Sequence, residues 1–282
     1  MTGGPPARPG PPARPAPFAG DPAPLVPSLP NLRDVGGHPT ADGGRVRTGL
    51  LYRSTDLSRL DDAGAAALEA LGIRTVFDLR TAGERAGGPD RLPPGASLVV
   101  VDVLRDSRAM TPADMESVLA TPQAAERALG GGRAERFFVD AYREFVELPS
   151  AREAYGRFFR GLAEPGRRPA LVHCTTGKDR TGWAAATLLV LLGVPEDVVV
   201  AEYLRSGPVI AAHFAPHLAA FAARGGDPEL LRPLIEVRPA YLEAGFAAVR
   251  DAYGTVERYV EVGLGVDAAT RATVRRTFVE PG

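Results

Sequence analysis

Between Pro169 and Gly193 the sequence changes character three times, and each change limits what the chain can fold into. Ala170-Leu171-Val172 is a short apolar run of the length of a buried strand. Residues 174–179, Cys-Thr-Thr-Gly-Lys-Asp, interrupt it with turn-forming side chains. From Trp183 to Leu192 the chain is apolar on most faces, the pattern of a central buried helix, and Gly193 supplies its stop. Apolar stretches at residues 73–79 and 97–103 alternate with helical patterns in the same way. This alternation predicts an α/β fold: a central, mostly parallel sheet flanked by helices.

The loop itself is Cys174, five residues, then Arg180-Thr181-Gly182. A tight loop curling onto a helix N-terminus aims several backbone N–H groups at one point, where the helix dipole also favours an anion. Thr175, Thr176, Gly177, Lys178, Asp179, Arg180 and Thr181 are therefore the candidate binding residues. Gly177 lets the backbone turn without a Cβ clash, and Arg180 offers a planar fork to a phosphate. The same positive field favours the thiolate of Cys174, a nucleophile aimed at phosphorus. Thr181 is placed to donate its hydroxyl to that thiolate, and His173 to brace the loop. Asp179 is a candidate proton donor, or a residue that orients Arg180 and water.

Composition sharpens the assignment. Cys174 is the single cysteine, which excludes internal disulfides, cysteine-rich zinc sites and any mechanism needing a resolving thiol. Lys178 is the only lysine among 33 basic residues, and it stands in the same loop. This exception to an otherwise all-arginine usage predicts a compact ammonium next to the bound phosphate. With 33 basic against 34 acidic residues there is no net field for nucleic acid or an anionic membrane.

Elsewhere the chain reads as follows. Residues 1–28, rich in Pro, Gly and Ala, predict a disordered tail without the apolar core of a signal peptide. Residues 29–282 form one domain, expected in the cytoplasm, since no run is apolar enough to span a membrane. Val46 to Ser54 reads as a strand, Ser58 to Leu71 as a helix, and residues 104–132 as short helical pieces in a mobile insertion. Ala134–Glu147 and Ala151–Leu162 are amphipathic, so Phe137, Phe138, Tyr142, Phe145, Tyr155, Phe158 and Phe159 are expected in the core. Arg80 and Glu84 are expected to form a bracing pair. His213 and His217 stand one helical turn apart, but no carboxylate nearby completes a metal set.

His173-Cys174-x5-Arg180-Thr181-Gly182 resembles the signature of cysteine-dependent phosphatases. The fuller HCTTGKDRTG, with Asn31-x-Arg33-Asp34-x-Gly36-Gly37, Asp78-Leu79-Arg80, residues 198–207 and Val237–Leu242, resembles the atypical bacterial tyrosine/lipid phosphatases. The resemblance runs from about Asn31 to the C-terminus. It implies hydrolysis of phosphate monoesters through a phosphocysteine on Cys174, without metal or cofactor. It also implies that Asp78 is a candidate general acid, with a structural capping role as the alternative and Asp179 as the rival. In a mycobacterial member of that family a helical pair after the residue 198–207 stretch covers the active site, which implies a lid over about residues 208–234.

A lysine at the Lys178 position is shared with phosphoinositide phosphatases, whereas Thr175 stands where those enzymes often carry a second basic residue. The expected substrate is therefore phosphotyrosine, with phosphoinositides next and phosphoserine or phosphothreonine weaker. Two other readings stay open on the residues alone: a catalytically inactive phosphate-binding module and a rhodanese-like sulfurtransferase. A Walker-type nucleotide loop is excluded, because Gly177-Lys178 is followed by Asp179 rather than Ser or Thr.

Overall fold

The computed structural model describes residues 26–108, 118 and 120–282. Most of the expected N-terminal tail and the centre of the expected insertion lie outside the described residues. Val26 is already buried, and Ser28 Oγ donates to Asp61 Oδ1 at 2.7 Å, so ordered packing begins slightly before the Leu29 boundary read from the sequence.

Five short strands form the main sheet in the spatial order β1 (Arg33–Asp34), β3 (Leu51–Ser54), β6 (Ala170–His173), β4 (Thr75–Asp78), β5 (Ser97–Val100). All neighbours are parallel except β1 with β3. Side chains alternate across a strand, so Ala170 and Val172 enter one core while Leu171 enters the other, and both faces of β6 are buried. The register aligns Ser54, His173 and Asp78 across β3, β6 and β4. Three chains thus end side by side at the carboxyl edge of the sheet, where open α/β sheets place their binding crevice.

The single strand expected over Val46–Ser54 is two. β2 (Arg45–Val46) pairs antiparallel with the C-terminal β7 (Val279–Glu280), whereas β3 belongs to the main sheet. The break falls near Gly49, whose φ of 77° redirects the chain.

Helices α1 (Asp62–Ala70) and α2 (Ala82–Gly87) follow β3 and β4. α3 (Pro122–Leu129), α4 (Arg133–Glu147) and α5 (Pro149–Ala163) lead into β6. α6 (Arg180–Leu191) is the buried helix foreseen after the loop, with Trp183 packed 5.3 Å from the Phe246 ring. The chain then forms α7 (Glu196–Leu204), α8 (Ser206–Ala223), the short α9 (Arg232–Ile235), α10 (Pro239–Tyr253) and α11 (Ala268–Phe278). A Cβ on Gly245 of α10 would come within 2.6 Å of the Trp183 ring, so glycine sets that helix spacing. No helix among the described residues is long and apolar enough to cross a membrane.

Of the aromatic residues assigned to the core, Tyr142, Phe145, Tyr155, Phe158 and Phe159 are buried there. Phe137 and Phe138 are only half-buried, because the face of α4 that carries them borders a cavity.

One buried ion cluster ties β1 and β3 to α7. Glu202 receives Arg33 Nε at 2.7 Å on one oxygen and Arg53 Nη1 at 2.8 Å on the other. Burial opposes the Glu202 charge, but the two arginines outweigh it and hold the carboxyl at about 2, against an ordinary 4.5. A depressed acid stabilises the fold above its unfolded value and loses that contribution as pH falls through the folded one, here on the order of 3 kcal/mol. Glu202→Gln should therefore be less stable than wild type at pH 7 by about 3–5 kcal/mol, because both guanidinium groups stay buried. Its loss of stability between pH 4.5 and 2 should be shallower. Urea denaturation across that range checks both; a stability difference independent of pH would contradict the assignment.

Candidate active site

β6 stops at His173 and α6 starts at Arg180, leaving Cys174–Asp179 as the connecting loop at the sheet's carboxyl edge. Cys174 is a free thiol, 2 % exposed. The backbone N–H groups of residues 175–179 donate to no protein acceptor among the described residues. Several unpaired donors in one tight turn at a helix start form an anion cradle. Gly177 has φ 65°, and a Cβ there would lie 2.1 Å from the Ser54 carbonyl oxygen, so only glycine lets the loop pass that close to β3.

Arg180 is presented to this cradle by Glu84. Arg180 Nη1 and Nη2 each donate to a Glu84 carboxylate oxygen at 2.7 Å, and the Arg180 charge is coupled electrostatically to Cys174. Glu84 is fixed in turn: Thr175 Oγ1 donates to it at 2.5 Å, and the Thr81 backbone N–H and hydroxyl donate at 2.8 and 2.9 Å. Burial opposes the Glu84 charge, yet Arg180 and Thr175 hold the carboxyl far below the usual carboxylate range. The expected Arg80–Glu84 pair is therefore replaced by Arg180–Glu84. Sequence reasoning missed this partner, although Thr81-x-x-Glu84 has capping-box spacing and turns the Glu84 side chain back toward the start of α2.

Arg80 serves another cluster. Its Nε and Nη2 donate to the two Asp78 oxygens at 2.9 and 2.8 Å, and Nη2 also lies 2.8 Å from Asp90 Oδ1. His173 Nε2 is 3.0 Å from Asp90 Oδ2, and His173 Nδ1 is 3.1 Å from the Cys174 carbonyl oxygen. Asp78, Asp90 and His173 stand close enough together to resemble a metal set. The positive charge between the two carboxylates is, however, already supplied by the Arg80 guanidinium. Asp78 is fully buried and borders neither cavity described below.

Asp179 faces the opposite way. Tyr142 Oη donates to its Oδ1 at 3.2 Å and is itself 2.8 Å from Tyr203 Oη. Asp179 lines the cavity, and burial raises its carboxyl above the usual range despite the opposing charge of Lys178. Lys178 Nζ lies 3.6 Å from Asp179 Oδ2, donates to the Leu234 and Glu236 carbonyls at 2.9 and 3.1 Å, and sits 4.5 Å above the Phe138 ring. The sole lysine is thus in the site but tied to the C-terminal end of α9, with 2 % of it exposed. Thr181 is buried, and its hydroxyl has no hydrogen-bond partner among the described residues, Cys174 included.

A cavity of about 670 Å³ opens above the loop. Thr175, Thr176, Lys178, Asp179 and Arg180 border it, Phe137, Phe138 and Phe145 form one wall, and Ile210 and Phe214 of α8 with Leu234 of α9 form another. A second cavity of about 330 Å³ flanks the loop beside Asp56, Arg59 and Arg80 and shares Thr175, Thr176, Ile210 and Phe214. α8 therefore overhangs the loop between the two cavities. His213 and His217, both exposed on α8, have ring centroids 6.3 Å apart and belong to no metal-ligating group among the described residues.

Comparison with known proteins agrees with this geometry. Residues 24–280 match the tyrosine phosphatase family. The triple specificity protein phosphatase PtpB of Mycobacterium tuberculosis is 35% identical over 268 residues, covering 87% of this chain and 95% of that protein. A Cupriavidus necator protein, provisionally named a tyrosine-protein phosphatase, is 35% identical over 242 residues, covering 86% of this chain and 84% of the relative. A Nostoc commune tyrosine-protein phosphatase is 31% identical over 233 residues, covering 79% and 72%. Matched over nearly all of its described length, this chain belongs to the tyrosine phosphatase family.

Proposed function

We propose that the chain hydrolyses phosphotyrosine through a phosphocysteine intermediate. The observation that carries this reading is the set of unpaired amides at residues 175–179 around a buried free thiol, with Arg180 forked on Glu84 beside them. The Cys174 thiolate attacks phosphorus, and the bond to the tyrosyl oxygen breaks. The amides and Arg180 hold the equatorial oxygens, which carry the transition-state charge. Asp179 gives its proton to the leaving oxygen: it borders the cavity, and burial favours its protonated form. Asp78, with both oxygens given to Arg80, acts as scaffold. Water then attacks the phosphocysteine and releases phosphate. The overhang of α8 fits the role of a lid, and the aromatic wall of Phe137, Phe138 and Phe145 fits a phenyl ring.

A second reading extends the substrates to phosphoinositides and to phosphoserine or phosphothreonine. Its support is the volume of the cavity and the ammonium of Lys178, which an additional substrate phosphate would draw away from the Leu234 and Glu236 carbonyls.

The test is hydrolysis of a phosphotyrosine peptide and a phosphoinositide panel in EDTA and reductant, with Cys174→Ser alongside. Turnover by wild type and none by Cys174→Ser supports the reading. Phosphate binding without turnover would favour the inactive binding module, and thiosulfate turnover the sulfurtransferase.

Asp179→Asn should slow phosphotyrosine about 100-fold, a typical general-acid contribution, and an aryl phosphate with a good leaving group far less. Because only protonated Asp179 is active and its carboxyl is raised, wild-type kcat should decline as pH climbs through that raised value; Asp179→Asn should lose this limb. The same leaving-group selectivity in Asp78→Asn, and not in Asp179→Asn, would move the acid role to Asp78. Lys178→Gln should lower phosphoinositide kcat/KM at least tenfold more than phosphotyrosine kcat/KM, the scale of one charge-assisted hydrogen bond. Equal losses would remove the lysine from substrate selection.

A further inference from the structure

We infer that Asn31 and Arg53 are positioning residues for the anion cradle: they hold the outer carbonyls of the loop so that its amides converge on the bound phosphate. A trans peptide group is planar, with its C=O and N–H pointing in opposite directions, so fixing the oxygen fixes the hydrogen. Asn31 Nδ2 donates to the Thr176 and Gly177 carbonyls at 3.3 and 3.1 Å. Arg53 Nη2 donates to the Gly177 carbonyl at 2.7 Å. The peptide groups that carry these oxygens also carry the Gly177 and Lys178 N–H groups, both without an acceptor among the described residues.

The loop cannot hold this arrangement by itself. Gly177, at φ 65°, leaves the adjoining peptide planes free to turn. Donors that converge on one point repel one another, so in the absence of an anion the loop would relax toward conformations that turn them apart. An external hold on the carbonyls opposes that relaxation.

The two holding groups are themselves fixed. Asn31 Oδ1 accepts from Arg33 Nη1, which determines the orientation of the amide and turns Nδ2 to the loop. Arg53 is fully buried, with Nη1 on Glu202 Oε2, while Glu202 Oε1 receives Arg33 Nε. One carboxylate therefore locks both holding groups. Arg33 Nη2 also donates to Ser206 Oγ at 2.9 Å, at the first residue of α8. The hold on the loop is thus rooted in β1, β3 and α7, outside the β6–α6 unit that carries the thiol.

The inference concerns anion binding and thiol reactivity, both measurable without turnover, so it can fail while the phosphotyrosine reading stands, and the reverse. Asn31→Ala removes two carbonyl contacts and no charge. Arg53→Lys keeps the charge that Glu202 requires, but one ammonium cannot replace a fork spanning Glu202 and Gly177. For each variant the dissociation constant of inorganic phosphate by calorimetry, the alkylation rate of Cys174 by iodoacetamide at fixed neutral pH, and Tm would be measured. The expected result is phosphate binding weakened about tenfold, the scale of one lost hydrogen bond, together with slower alkylation, in protein whose fold is retained. Wild-type phosphate affinity and alkylation, whatever the change in Tm, would overturn the proposal. Loss of fold in both variants would also overturn it, by assigning the two side chains to core stability alone.

Discussion

The molecule is organised around a row of backbone amides with no protein acceptor among the described residues, set at the carboxyl edge of the sheet beside a buried thiol. Donors that converge on one point repel one another, so this is an arrangement a free loop would not keep. It persists because its surroundings leave the loop few alternatives. β3 and β4 flank β6 in register, Gly177 threads past Ser54, and the buried helix α6 takes over immediately at Arg180. On the proposed mechanism a tetrahedral oxyanion would satisfy what the protein leaves open, and so make this feature useful for phosphoryl transfer.

Around that centre, charge is arranged in compact clusters. Glu84 holds Arg180, Asp78 and Asp90 hold Arg80, and Glu202 holds Arg33 and Arg53. In each cluster a guanidinium fork is fixed by carboxylate oxygens, and those of Glu84, Asp78 and Asp90 also accept from other groups, a geometry a lysine could not reproduce. The lysine stands apart. Lys178 offers its ammonium to backbone carbonyls at residues 234 and 236, and so links the loop to the segment beyond α8. Its closest partners are these neutral carbonyls, with the Asp179 carboxylate farther off at 3.6 Å.

Much of this was readable in the sequence because it is local. The loop from Cys174 to Thr181, the strands at residues 75–78, 97–100 and 170–173, and the buried helix after the loop all follow from short-range pattern and glycine placement. What escaped was long-range or one-sided. Arg180 and Glu84 are separated by 96 residues, and no periodicity pairs them. Phe137 and Phe138 lie on an apolar helical stripe, and a stripe does not reveal whether it meets the core or a cavity. The two segments of the expected 46–54 strand join different sheets because β7, at the far end of the chain, claims Val46. That Arg80 takes both oxygens of Asp78, the observation behind proposing Asp179 as the acid, depends on where Arg80 points, which sequence cannot tell.

The central claim is that Cys174 becomes covalently phosphorylated. The most direct measurement is rapid acid quench of the enzyme during turnover of a phosphotyrosine peptide in EDTA, followed by mass spectrometry of the Cys174 peptide. The account predicts phosphate on Cys174, appearing within the first turnover and absent from Cys174→Ser, which should not turn over. Undiminished turnover by Cys174→Ser, or turnover by wild type with no phosphate ever found on Cys174, would contradict it.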